Sequence, residues 1–391
     1  MSEGLAKLIP FVTVFVFANQ FSSEIVGQLT LLIVTVEIFS IIATNNTPAV
    51  TRIDFFKLER DALTEQLVTQ LSNSLIISLL LLFVFFPILI YKGIPSFYLI
   101  LICVPYLRAY TTTCLALLQC GKETDKYLIA QLVFSFSYLI TFFIFYKYGI
   151  CSWIIAFSFG LFLQCLYLKQ SNSFVLLHKL SIIPRNKNLS IALKGVAFMP
   201  QAIGWWLRSG AERYLIAFYL SVSILGQYAL SMQISSIAVL FVTAINLAIV
   251  PEVNRHLSRG ATKDILKVNK IYYFTFLMLL LGVLILWVGG YGYLSAYYYE
   301  YTISRDILWI ACMSTLFQSF SMVLMNELYF RSKAVIVAKY VLCCFIVQAI
   351  LQLIILSLFN QLYIVLFVNL IFSIALLILV INRLILERKC S

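Results

Sequence analysis

Apolar residues in this chain do not alternate with polar ones at a strand period, nor do they mark one face of a helix. They run on unbroken, and short polar interruptions separate the runs. A helix needs roughly 20 apolar residues to cross a hydrocarbon layer about 30 Å thick. By that measure the pattern predicts twelve spans, at 5–21, 24–46, 70–91, 96–119, 127–147, 150–168, 195–219, 223–250, 270–290, 305–328, 335–358 and 361–383. The expected fold class is an all-α polytopic membrane protein. Segments of period-two alternation, which would indicate a membrane β-barrel, are absent from the sequence.

Composition agrees. The 391 residues are 62% hydrophobic and only 11% charged, against about 25% charged in soluble domains. A net charge of +12 would suggest nucleic acid in a soluble protein. Here the cations sit in the links between spans, where they set orientation. Twenty-two of the 28 lysines and arginines fall on one set of alternating links and three, Lys92, Lys147 and Arg305, on the other. Both termini are therefore expected on the cytoplasmic side. No cleavage site follows the first apolar run, so it is expected to remain as a span; Lys7 and Pro10 make it an atypical one.

The chain also repeats itself. Ser23-Glu24-Ile25-Val26-Gly27-Gln28-Leu29 opens the second span, and Val222-Ser223-Ile224-Leu225-Gly226-Gln227-Tyr228 opens the eighth. The same two spans close on Pro48-Ala49-Val50-Thr51-Arg52 and Pro251-Glu252-Val253-Asn254-Arg255, with proline expected to end or kink each helix. The longest internal link divides the spans six and six. We expect a bundle of residues 1–168, a cytoplasmic linker of 169–194 and a second bundle of 195–391. Six spans per half make the repeats parallel, with a transport path between them.

Charges inside the spans are the candidate chemistry. Each costs roughly 2.5–3.5 kcal/mol to insert at a helix centre. The seventh span holds three, Arg208, Glu212 and Arg213. Arg208 and Glu212 are four apart and are expected to pair on one helix face. Arg213 is turned about 100° from Glu212 and lacks such a partner. This pattern suits either a cationic cavity for an anionic substrate or a structural ion pair with a snorkelling arginine. Glu37 and Arg108 lie deep in the second and fourth spans; pairing of Glu37 with a buried arginine of the other half would offset both insertion costs, as a gate or as glue. Glu327, near a helix end, suits an interfacial place. Gln119, Gln131, Gln164, Gln201, Gln233, Asn246, Gln318 and Gln348 suit helix–helix hydrogen bonds. The tyrosine-dense stretch 291–301 suits an interfacial belt, or a platform for sugar rings. The nine cysteines form no paired motif, and His178 and His256 fall in basic links. No metal site or cofactor is expected.

Three phrases together resemble a known family: Gly210-Ala211-Glu212-Arg213-Tyr214-Leu215-Ile216, Ile224-Leu225-Gly226-Gln227-Tyr228, and Ile249-Val250-Pro251-Glu252-Val253-Asn254-Arg255. They are similar to those of the O-antigen flippases (Wzx-type) in the polysaccharide exporter family, part of the multidrug/oligosaccharidyl-lipid/polysaccharide transporter superfamily. Glu212-Arg213 stands where that family usually carries Asp-Arg. In the first half Gly27 and Leu117-Leu118-Gln119-Cys120-Gly121-Lys122 carry the likeness. The resemblance implies two parallel six-helix bundles of MATE-like fold, working by alternating access in a bacterial inner membrane. It implies a non-enzymatic flippase for undecaprenyl-diphosphate-linked O-antigen oligosaccharide. Coupling to H+ or Na+, membrane lipids, and an O-antigen polymerase with its chain-length regulator complete the partners the resemblance implies; nucleic acid is not among them. Arg108, Arg208 and Arg213 are the expected substrate contacts, and Glu37 and Glu212 the expected ion-pair or coupling residues.

Two other readings stay open. A multidrug or cation antiporter of the same fold would favour acidic centres, whereas three arginines face two deep glutamates here. An O-antigen polymerase would carry large periplasmic loops and an acidic pair for glycosyl chemistry, which the sequence lacks.

Overall fold

The computed structural model describes residues 12–91, 100–171, 195–196, 199–259, 262–301 and 305–389, and every regular element among them is helical. Residues 12–18 are helical. There follow α1 (Ser23–Thr44), α2 (Thr47–Asp54), α3 (Arg60–Tyr91), α4 (Ile100–Cys120), α5 (Thr124–Phe145) and α6 (Ile150–Ser171). Then come α7 (Met199–Trp206), a π-helical turn (Leu207–Ala211) and α8 (Glu212–Tyr219). The remainder is α9 (Val222–Arg259), α10 (Thr262–Tyr297), α11 (Arg305–Phe330), α12 (Ala334–Phe359) and α13 (Leu362–Lys389). The described residues of each of the twelve predicted spans are largely helical, and eight described helices are long and apolar enough to cross a membrane. Lys7, Pro10, Lys92, His178 and most of the predicted 169–194 linker lie outside the described residues.

Several helices outrun their apolar runs. Arg255, Arg259, Lys263, Lys267 and Lys270, expected in a link, lie on α9 and α10. Apolarity measures the length inside lipid, and a helix can continue as polar turns beyond it. His256 belongs to this extension rather than to a loop. It is buried, with Nδ1 2.8 Å from Asp264 Oδ1 and Nε2 3.1 Å from Glu252 Oε1.

The two Pro-x-Val-x-Arg phrases behave differently. The first break falls ahead of its proline. Asn45 and Asn46 take left-handed φ of 45° and 51°, which asparagine tolerates, and Pro48 starts α2. Arg52 then donates to Gln119 Oε1 of α4 at 3.0 Å. The second phrase does not end its helix, because α9 runs through Pro251 to Arg259. Without an Asn-Asn step before it, that proline removes one backbone bond and the helix continues.

The chain forms two compact units, residues 1–13 with 32–203, and residues 14–31 with 204–391. In the first, Leu63, Leu67 and Leu71 of α3, spaced one turn apart, pack on Tyr110, Cys114 and Leu117 of α4. In the second, α11 is central, packed by α9, α10 and α13. At its end Glu327, wholly buried, accepts Nε and Nη2 of Arg388 at 2.8 and 2.6 Å and Nε of Arg331 at 3.2 Å. Arg388 also donates to Asn269 Oδ1 at 2.7 Å, so one carboxylate ties α10, α11 and α13 together.

Residues 14–31, a strap, are held within the second unit by polar contacts. Tyr298 donates to the Phe15 carbonyl at 3.1 Å, and Tyr301 donates to that of Phe21. Burial pushes the Tyr298 phenol up to about 12, so it remains a donor across the neutral range. The Ser23 and Ser223 hydroxyls meet at 2.6 Å. One turn on, α1 and α9 touch backbone to backbone. A Cβ on Gly27 would stand 2.0 Å from the Val222 carbonyl oxygen, and one on Gly226 would stand 1.8 Å from that of Ser23. Only glycine permits that approach at either position.

Candidate functional site

The seventh span is a composite of α7, the π turn and α8, and the π turn decides where its charges go. An α-helix would place Arg208 and Glu212 one above the other. One extra residue in the turn rotates them apart, and π turns of this kind recur at functional sites. The expected Arg208–Glu212 ion pair does not form, although the two charges still act on one another. Each finds neutral partners on a different helix.

Arg208 is 5% exposed. Its Nε donates to Gln318 Oε1 at 2.7 Å and its Nη2 to Ser314 Oγ at 2.8 Å, both on α11. Its guanidinium lies over the Phe345 ring of α12, 5.5 Å from the centroid. Ser314 passes the network on to Ser373 of α13 at 3.0 Å. Nη1 is buried with no described partner. The cation is thus surrounded by dipoles and a ring face rather than by a carboxylate.

Glu212 is 1% exposed. Its Oε1 accepts the Tyr228 hydroxyl of α9. Its Oε2 accepts Asn369 Nδ2 of α13 at 2.6 Å and Gln352 Nε2 of α12 at 3.4 Å. Asn369 Oδ1 in turn accepts Gln352 at 2.8 Å and also accepts Gln348. Three elements therefore converge on one carboxylate with no basic side chain touching it among the described residues. The side-chain oxygens of Gln348 and Gln352 are buried without a described partner. Gln318 and Gln348 were legible as buried amides. Tyr228, Gln352 and Asn369 were not singled out. The signal for two of them is the Gln348–Gln352 and Asn369–Ser373 spacing of four, which stacks polar groups on one face of otherwise apolar helices.

Arg213 is half-buried and lies within electrostatic reach of Tyr228. It hydrogen-bonds none of the described side chains. In the first unit Arg108 is also half-buried, with its guanidinium 5.8 Å from the centroid of Phe157. Its electrostatic neighbour is Glu37. Glu37 sits beyond residue 31, where α1 belongs to the first unit, and so do α4 and Arg108. No group of residues that could hold a metal ion occurs among the described residues.

No protein-family model matches the sequence, and no curated protein matches it. Solved structures do. A multidrug resistance MATE family transporter of the MOP superfamily, in an inward-facing conformation, is similar with a TM-score of 0.76 at 11% identity, over 99% of this chain and 96% of that one. A MATE in complex with MaL6 gives 0.67 at 12% identity, over 100% and 95%. A MOP superfamily transporter from Pyrococcus furiosus, described as having a binding pocket of reverse polarity, gives 0.61 at 11% identity, over 98% and 93%. The fold is MATE-like, and the chain is a multi-pass membrane protein.

Proposed function

We propose that this protein is an alternating-access flippase that moves a polyprenyl-diphosphate-linked oligosaccharide, of the O-antigen type, from the cytoplasmic to the periplasmic leaflet of a bacterial inner membrane. The observation that carries this reading is the set of arginines held inside the spans without a carboxylate in hydrogen-bonding contact. Arg208 is solvated by amide, hydroxyl and ring, and Arg108 and Arg213 are half-buried without a described hydrogen-bond partner. A diphosphate is a doubly charged, multidentate acceptor, and guanidinium is the side chain that matches it. We assign Arg108 and Arg213 to the diphosphate, and Arg208 to the positive field around it. The neighbour with a pocket of reverse polarity supports a MATE-like fold working with more than one sign of charge.

Glu212 is the group we assign to ion coupling. A carboxylate held only by neutral hydroxyl and amide groups can accept a proton, or gather a small monovalent cation among the oxygens of Tyr228, Asn369 and Gln352, without losing a salt bridge. Transport is the reading these groups support.

The test is surface polysaccharide in a flippase-null strain. Complementation with Arg213→Ala is expected to abolish surface polymer at an unchanged protein level, with Arg213→Lys retaining part of it. Full display by Arg213→Ala would sink the assignment. The multidrug neighbours favour a second reading, an exporter of cationic drugs. Under that reading overexpression raises drug tolerance while polymer display stays unchanged.

A further inference from the structure

The partners of Arg208 and those of Glu212 are joined to one another. Arg208 Nη2 donates to Ser314 Oγ at 2.8 Å, and Ser314 meets Ser373 at 3.0 Å. Ser373 Oγ donates to the backbone carbonyl of Asn369 at 2.7 Å, one turn back on α13. The side-chain amide of Asn369 donates to Glu212 Oε2 at 2.6 Å. Two charges that the π turn holds apart on their own span are thus rejoined through α11 and α13. Ser314 and Asn369 are 2% exposed and Ser373 is 1% exposed, so bulk solvent does not stand in for a missing link.

The polarity of this relay is fixed. A serine hydroxyl has one hydrogen to give. Ser373 gives its own to Asn369, so in the serine pair Ser314 donates and Ser373 accepts. Every hydrogen bond from Arg208 to the Asn369 carbonyl runs the same way. The relay begins on a guanidinium, which keeps its protons, and ends on an amide carbonyl, which takes none. It does not conduct protons; what it passes on is position. The turn on α13 suits that role. A serine hydroxyl bonded to the carbonyl four residues back loosens and bends its helix locally. The same turn carries the amide that has to rearrange when Glu212 changes state. Asn369 Nδ2 donates to the bare carboxylate and loses its acceptor once a proton or a cation occupies that oxygen.

We propose that Ser314 and Ser373 are positioning residues that set the donors of Arg208 according to the state of Glu212. The proposal rests on the reading in which Glu212 takes the coupling ion and Arg208 shapes the field around the diphosphate. It supplies the route between the two.

Two measurements on the full-length protein in lipid nanodiscs test it, with Glu212→Gln as a neutral stand-in for the occupied carboxylate. Melting curves compare the joint effect of Glu212→Gln and Arg208→Lys with the sum of their separate effects. The difference is expected to shrink by about half or more when Ser373→Ala is added, and to persist with Ser373→Thr, which keeps the hydroxyl. Direct attraction between the two charges is common to every background and does not respond to residue 373. Ser314→Ala cuts the relay from α11 and is expected to act as Ser373→Ala does. A difference unchanged by either alanine would overturn the proposal. Binding of undecaprenyl diphosphate to the same proteins is the second measurement. Glu212→Gln is expected to shift its Kd by about fivefold or more, and by a much smaller factor once Ser373→Ala is present. Equal shifts in both backgrounds would also overturn the proposal. A relay visible in the melting curves of a protein with no measurable affinity for undecaprenyl diphosphate would uphold the coupling and remove the flippase reading instead.

Discussion

At the scale of single residues the most consequential group is Glu212, a carboxylate that receives three neutral donors from three helices. Its removal leaves Tyr228, Asn369 and Gln352 buried and partly unpaired, and each unmet buried polar group costs about 1–3 kcal/mol. Glu212→Leu is therefore expected to lower the thermal midpoint of the detergent-solubilised protein by several degrees. Glu212→Gln keeps one acceptor oxygen and most of the shape. It is expected to fold near normally but to lose the dependence of transport on the coupling ion, which a transport assay in proteoliposomes at varied pH and Na+ would read. The charges themselves were legible because they interrupt apolar runs. Their partners were less so, because an amide such as Asn369 has the same sequence signature whether it binds a carboxylate or a neighbouring backbone.

At the scale of elements, the π turn explains why periodicity misplaced Arg208. One added residue between Leu207 and Ala211 leaves the apolar run unbroken, so the span is correctly found while its angular register is not. The same limit applies to α9 and α10, whose polar extensions carry His256 and Asp264 together although composition reads as a link. The tie around Glu327 joins one wholly buried carboxylate to two arginines. Arg388 comes from the last turn of the last helix, too far in sequence for any local pattern to announce the contact. Breaking one side of a buried ion pair costs about 3–5 kcal/mol. Glu327→Ala is expected to destabilise the protein on that order and to expose the end of α13 to protease. A melting curve with limited proteolysis would check both, and an unchanged cleavage pattern would show that α13 is held by other means.

At the scale of the whole molecule, the all-helical membrane architecture was legible from the apolar runs, since lipid forces every backbone group in a span into helix, while its MATE-like form was implied by the family resemblance alone. The repeated phrases were legible too, though not what they do. Val222 stands at the position of Ser23, and Gly226 at that of Gly27, when the sequence is displaced by 199 residues. The close contacts are Gly27 on Val222 and Gly226 on Ser23. Corresponding positions thus meet each other reciprocally, as they would across a two-fold axis. Damage to this crossing has a genetic signature. Gly27→Ala and Gly226→Ala should give indistinguishable defects, and the double substitution should cost less than their sum, because a single added methyl already wedges both helices apart.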